Sequence, residues 1–193
     1  MRAPLLCLAV LGLAACNKGN SIHTRGDPPF EISSAKSVLW AQDPDTDTQE
    51  GMAVLVISED DLGCDAITAH NMYYDLEDAI LDGQGLMFVL EYDSWSGFQG
   101  TLDWEGLWMT GYGYGGDAER MMYPLAFSDG FLYMLGGYYG IGDSSWLMVD
   151  AWATGGVSGS YSTEYWSGDF HAENCGDWAP YQSHWDTGWD TGW

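Results

Sequence analysis

The run Met52-Ala53-Val54-Leu55-Val56-Ile57 decides the fold of this chain of 193 residues. Six consecutive apolar residues, half of them β-branched, are typical of a strand that is buried on both faces, and such a strand belongs in the middle of a sheet. Residues 37–41 predict the strand before it, and residues 86–92 predict a second central strand after it. The core is therefore expected to form around a β-sheet.

The segment between the two central strands has a different period. After Cys64, apolar residues recur at intervals of about three to five residues until Asp82-Gly83. This spacing predicts one amphipathic α-helix, at about residues 65–82, that ends at the glycine.

The rest of the chain predicts short strands separated by glycine-rich turns. Ser128-Asp129-Gly130 predicts a tight hairpin between two of them. The predicted strands are residues 101–108, 123–127, 131–135, 146–153, 157–163 and 169–175. The predicted fold class is mainly β: an antiparallel β-sandwich or barrel with one amphipathic helix.

The first 16 residues have the pattern of an export signal. Met1-Arg2 is followed by an apolar run over residues 3–15, which is too short to span a bilayer. The end of this run, Leu13-Ala14-Ala15-Cys16, resembles the lipobox of bacterial lipoproteins. The resemblance implies cleavage before Cys16 and attachment of acyl chains such as palmitate to that residue. The alternative is an ordinary signal peptide followed by a chance cysteine.

Composition then divides the chain into four parts. Residues 1–15 are the predicted signal peptide, 16–36 a lipidated N-terminus and flexible stem, 37–178 a single β-rich domain, and 179–193 a tail that repeats Trp and Asp-Thr-Gly.

Cys7 leaves with the signal and Cys16 takes the lipid, so Cys64 and Cys175 are predicted to form one disulfide in an oxidising compartment. The alternative is two unrelated buried cysteines.

The charge balance excludes one class of partner. From residue 37 onward Arg120 is the only Lys or Arg, against 27 Asp and Glu. Nucleic-acid binding needs basic groups, so nucleic acid is excluded as a partner. The acidic surface indicates either simple solubility, for example in a saline habitat, or a calcium-dependent surface, because Ca²⁺ prefers several oxygen ligands.

The acidic stretch 43–51 begins like an EF-hand loop, but Thr48 and Val54 occupy its glycine and glutamate positions, which favours a plain acidic loop.

The strand predicted over residues 146–153 suggests a ligand surface. Alternation places Trp146, Asp150 and Trp152 on one face, with Met148 between them, and small aliphatic residues on the other. Tryptophans beside a carboxylate are typical of a sugar-binding platform. The alternative is that this face packs in the core.

No catalytic group emerges from the remaining motifs. The two Asp-Thr-Gly triplets, at residues 186–188 and 190–192, are too close in sequence to face each other as in an aspartic protease. Asp169, His171 and Glu173 share one side of a predicted strand, but their spacing lets one metal ion reach two of them and hardly all three. No metal site, no catalytic residue and no cofactor are predicted, and Ca²⁺ is the one ion whose binding is left as an alternative.

Residues 159–161 and 168–175, together with the lipobox, resemble the surface lipoproteins of environmental Gram-negative bacteria such as myxobacteria, for which no activity is established. The resemblance implies a small β-rich domain in the cell envelope. Asn17 after the cysteine favours the outer membrane. The sequence therefore predicts a lipid-anchored, non-catalytic module for surface binding or structure, with membrane lipid at Cys16 and a glycan or envelope protein as candidate partners. The alternatives are a glycan- or calcium-dependent adhesion module and, less favoured, a secreted hydrolase.

Overall fold

The computed structural model describes residues 19–44, 51–68, 83–92, 108–110, 120–135, 145–153 and 155–177. These residues are mainly β, which confirms the predicted fold class. The strands in chain order are β1 (His23–Thr24), β2 (Ser37–Pro44), β3 (Gly51–Ser58), β4 (Gln84–Tyr92), β5 (Trp108–Thr110), β6 (Arg120–Ser128), β7 (Phe131–Met134), β8 (Trp146–Ala153), β9 (Gly156–Ser162) and β10 (Trp166–Asp177). Helix α1 (Asp65–Thr68) follows β3.

The strands form one curled sheet in the order β5-β8-β9-β10-β2-β3-β4-β6-β7, and β1 pairs with β10 beside this path. β10 and β2 run parallel, whereas the other pairs among these strands are antiparallel. Because the sheet curls, β5 approaches β6 and the two halves face each other. This curl encloses the main core.

Strand β3 lies between β2 and β4, as its apolar sequence predicts. Its odd-numbered residues, such as Leu55 and Ile57, enter an inner cluster between the two halves of the sheet. Val54 and Val56 enter an outer cluster on the opposite face. Burial of each such side chain contributes roughly 1.5–3 kcal/mol, so both faces of this strand stabilise the domain.

The inner cluster depends on a glycine in β9. A Cβ atom at Gly159 would lie 2.8 Å from the ring of Phe170 and would overlap the carbonyl oxygen of Met148. The glycine therefore lets the fully buried Phe170 ring pack against the backbone of the neighbouring strand.

The outer cluster lies beneath α1 and a disulfide. Ile67 of α1 is fully buried there, next to Cys64 and Cys175. The two cysteines are bridged, with an S–S distance of 2.03 Å and a Cα–Cα distance of 5.2 Å, which confirms the predicted pair. The bridge ties the start of α1 to the last strand. The helix begins where predicted, and residues 69–82 of the predicted helix lie outside the described residues.

The hairpin predicted at residues 128–130 is confirmed. Strand β6 ends at Ser128 and β7 begins at Phe131. Asp129 and Gly130 both have positive φ angles, 49° and 81°, as a type I′ turn requires.

Several predicted features fall on other parts of the chain. The strand predicted over 101–108 shares only Trp108 with β5, and residues 101–107 lie outside the described residues. Most of the acidic stretch 43–51 and the whole tail 179–193 also lie outside them, as does Cys16. In the described segments, no helix is long and apolar enough to cross a membrane.

The prediction of a flexible stem over residues 16–36 is wrong for its described part, residues 19–36, which we call the N-terminal segment. Ile32 is buried in the inner cluster, and Ile22 and Phe30 pack against it. Arg25 donates hydrogen bonds to the carbonyl oxygens of Thr163 and Glu164. A few apolar residues without a regular period are enough to hold this segment on the domain, because it lies along a sheet edge that supplies hydrogen-bond partners for its backbone.

Candidate functional site

The candidate site lies where β10 changes its neighbour. The first half of β10 pairs with the N-terminal segment, where the backbone N–H of Ser21 donates to the carbonyl of Asp169 at 3.0 Å. From Glu173 onward the same edge pairs with β2, beginning opposite Leu39. Between these two partners the side-chain oxygen of Asn20 accepts a hydrogen bond of 2.7 Å from the backbone N–H of His171. A side chain thus takes the place of a neighbouring strand, and the sheet splits at this point.

A cleft of about 350 Å³ opens at the split. It is lined by Asn20, Lys36, Ser37, Val38, Leu39, Asp61, Leu62, Gly155, His171, Ala172 and Glu173. Small ligands usually bind in concave sites where a few polar groups converge. The polar lining of this cleft therefore makes it the candidate site.

Alternation along β10 directs two of the predicted polar residues to the cleft. His171 and Glu173 are exposed, whereas Phe170 and Ala172 are buried in the inner cluster. This confirms the prediction that His171 and Glu173 share one side of the strand. The imidazole of His171 lies against β9, where a Cβ atom at Gly156 would approach its ring to 3.1 Å.

The opposite wall of the cleft is fixed by hydrogen bonds at the start of β2. The backbone N–H of Lys36 donates to the carbonyl of Ser58 at 2.8 Å. The hydroxyl of Ser37 accepts a hydrogen bond of 2.6 Å from the backbone N–H of Leu62. These two bonds hold Lys36 and the segment that contains Asp61 beside β10.

A carboxylate behind this wall stabilises the N-terminal segment. Glu59 accepts hydrogen bonds from the backbone and hydroxyl of Ser33, at 2.6 and 2.7 Å, and from the backbone of Ser34 at 3.1 Å. Burial raises the pKa of Glu59, but these hydrogen bonds and the nearby charge of Lys36 outweigh it, so that the pKa is lowered overall. Glu59 is therefore held as a carboxylate.

The cleft offers a cation at Lys36, carboxylates at Asp61 and Glu173, an imidazole at His171 and an amide at Asn20. Such a set can donate and accept hydrogen bonds and can neutralise charges of both signs in a small polar molecule. Within the segments that the structure describes, no three His, Cys, Asp or Glu side chains are placed to hold one metal ion.

The predicted common face of Trp146, Asp150 and Trp152 is wrong. The pairing of β8 with β9 shifts register between Val149 and Ala151, as a β-bulge does. After this shift Trp152 packs against the inner cluster, while Ala151 becomes exposed. One extra residue in a strand reverses the direction of every later side chain, so the two tryptophans lie on opposite faces.

Sequence reasoning considered His171 and Glu173 only as metal ligands and predicted no site there, and it missed Asn20, Lys36 and Asp61. The first two of these belong to the segment that was predicted to be a stem, and Asp61 lies in the connection that follows β3. The concentration of Lys18, Arg25 and Lys36 in an otherwise acidic chain was the available signal. Comparison with known protein families, with curated proteins and with solved structures finds no match to this chain.

Proposed function

We propose that the protein is an exported, lipid-anchored component of the cell envelope that acts as a non-catalytic binding module. The disulfide between Cys64 and Cys175 is the observation that supports export, because such bonds persist in oxidising compartments and are rare in the cytosol. The disulfide also uses the two cysteines of the domain and leaves Cys16, at the end of the lipobox, for the lipid. Outer-membrane attachment is favoured by Asn17.

The anchor is tested by Cys16→Ser in cells that are fed a tagged fatty acid. The variant is expected to lose the label and to remain uncleaved at residue 15. Cys7→Ser is the matched control, because it removes a cysteine from the same apolar run but leaves the lipobox intact, and it should keep the label. Equal labelling of Cys16→Ser and the wild-type protein would refute lipid attachment at this residue.

For the binding role we propose the cleft beside β10, with a small polar molecule that carries both donors and acceptors as its ligand. The bulge in β8 separates the tryptophans that an adhesion platform would need, so the cleft supports a binding role better than that platform. A ligand at a hundredfold excess over its dissociation constant stabilises the folded state by about 2.7 kcal/mol.

Thermal melting of the mature protein with sugars, amino acids and dipeptides tests this role. A ligand of the cleft should raise the melting temperature of the wild-type protein but not of His171→Gln or Glu173→Gln. Glu164→Gln is the matched control, because Glu164 is exposed in the turn before β10 and does not line the cleft. A shift that survives in the two cleft variants would place the ligand elsewhere, and no shift with any of these molecules would remove this ligand class.

A further inference from the structure

Strand β7 is an exposed apolar strand. Phe131 and Met134 are 66% and 61% exposed, and Leu132 and Tyr133 between them are 36% and 37% exposed. The strand carries no charge and ends the strand order among the described strands. Contiguous exposed apolar residues on an edge strand indicate an interaction surface.

The N-terminal segment lies beside this strand. The ring of Phe30 is 5.4 Å from the ring of Tyr133 in β7 and 5.5 Å from that of Trp166 in β10. Trp166 in turn pairs with Thr24 of the same segment. The segment and the apolar strand therefore form one side of the molecule, which we call the N-terminal side.

Positive charge is concentrated in the same part of the chain. Lys18, Arg25 and Lys36 lie at or within the N-terminal segment, whereas Arg120 is the only Lys or Arg after residue 36. Arg25 and Lys36 are exposed, and the hydrogen bonds of Arg25 go to backbone carbonyls and a hydroxyl, which do not neutralise its charge. Asp27 and Glu31 of the same segment are also exposed, so residues 19–36 carry no net charge, whereas the residues after 36 carry 27 carboxylates against Arg120 alone.

The proposed lipid would hold this side close to a bilayer. Three peptide units separate Cys16 from Gly19, the first described residue, and they span at most about 11 Å when extended. This is similar to the thickness of the polar headgroup layer, which is roughly 5–8 Å on each side of the hydrocarbon. A lipid at Cys16 therefore leaves no room for a long spacer between membrane and domain.

We infer that the N-terminal side rests on the lipid bilayer, with Phe131 and Met134 of β7 entering the interface. A bilayer offers an apolar layer that matches this strand, and its phosphates repel a segment without net charge less than they repel the acidic rest of the domain. A second copy of this chain, with a net charge of −24, would instead be repelled. The inference rests on the proposed lipid attachment at Cys16.

Photo-crosslinking tests this orientation. The mature lipidated protein is inserted in vesicles of phosphatidylethanolamine and phosphatidylglycerol that contain a phospholipid with a photoreactive acyl chain. After irradiation and digestion, mass spectrometry is expected to find lipid adducts on Phe131–Met134 and none on the exposed Ala151 and Ala153 of β8. Adducts on β8 but not on β7, or an even distribution, would overturn the inference.

The intact mass separates this inference from the proposed anchor. If the acyl mass is present and β7 carries no adducts, the orientation is wrong and the anchor stands. If the acyl mass is absent, both proposals fail. The double variant Phe131→Ser, Met134→Ser should lose the adducts, whereas Ala151→Ser should keep the wild-type pattern. Because the wild-type map decides the question by itself, poor folding of the double variant would not affect the test.

Discussion

Loss of the disulfide provides a quantitative test of the fold. The double variant Cys64→Ser, Cys175→Ser removes a cross-link between residues that are 111 positions apart. Loop-closure entropy for a loop of this length amounts to about 16 cal/mol/K, or about 4.8 kcal/mol at 25 °C. The structure places both cysteines against the outer cluster, which remains packed by Ile67, so part of the native contact should survive.

We therefore expect the free energy of unfolding to fall by about 2–5 kcal/mol, the usual range for a native disulfide. In a protein of this size each 1 kcal/mol lowers the melting temperature by about 2–4 °C, so the melting temperature should fall by about 4–20 °C. The slope of the free energy against urea concentration should rise, because the unfolded chain without the cross-link exposes more surface.

Urea titration of the oxidised wild-type protein, the reduced wild-type protein and the double variant measures these quantities. The reduced wild-type protein is the matched control, because it loses the same bond and keeps both cysteine side chains. If the double variant loses less than about 1 kcal/mol, or if mass spectrometry finds both thiols free in the oxidised protein, the bridge does not hold the last strand to α1.

Three further predictions follow from the core and the charge distribution. Gly159→Ala should lower the free energy of unfolding in urea by about 1–3 kcal/mol, because its methyl group would overlap the carbonyl oxygen of Met148 and the Phe170 ring. Gly155→Ala, where nothing lies within 4 Å, should be nearly neutral, and equal effects would contradict the packing. Burial first, and the charge of Asp169 second, raise the pKa of Tyr161, so the free energy of unfolding should fall as the pH rises above about 10. The fall should be smaller in Tyr161→Phe, and an unchanged pH dependence in this variant would mean that other groups cause it. NaCl, MgCl₂ and CaCl₂ at matched ionic strength should raise the melting temperature equally if these salts only screen the carboxylates. A larger rise with CaCl₂ would indicate a specific site, and no rise with any salt would show that repulsion between the carboxylates does not destabilise the fold.

Local sequence determined the centre of the sheet and the hairpin. Six apolar residues in a row require a strand with two buried faces, and β3 has them. Asp129 and Gly130 tolerate positive φ angles, so the turn between β6 and β7 can be predicted from three residues. The disulfide could also be predicted, because Cys64 and Cys175 are the only cysteines after residue 16.

Tertiary structure alone decided the candidate site. The cleft exists because β10 pairs first with the N-terminal segment and then with β2, and such pairings join residues more than a hundred positions apart. The face of Trp152 depends on a bulge between β8 and β9, and a shift of one residue in register reverses a side chain without any change in local pattern. Sequence periodicity indicates which residues prefer burial, but the packing of the whole sheet determines which strand covers them. Because of that packing, the segment predicted to be a stem forms one wall of the cleft.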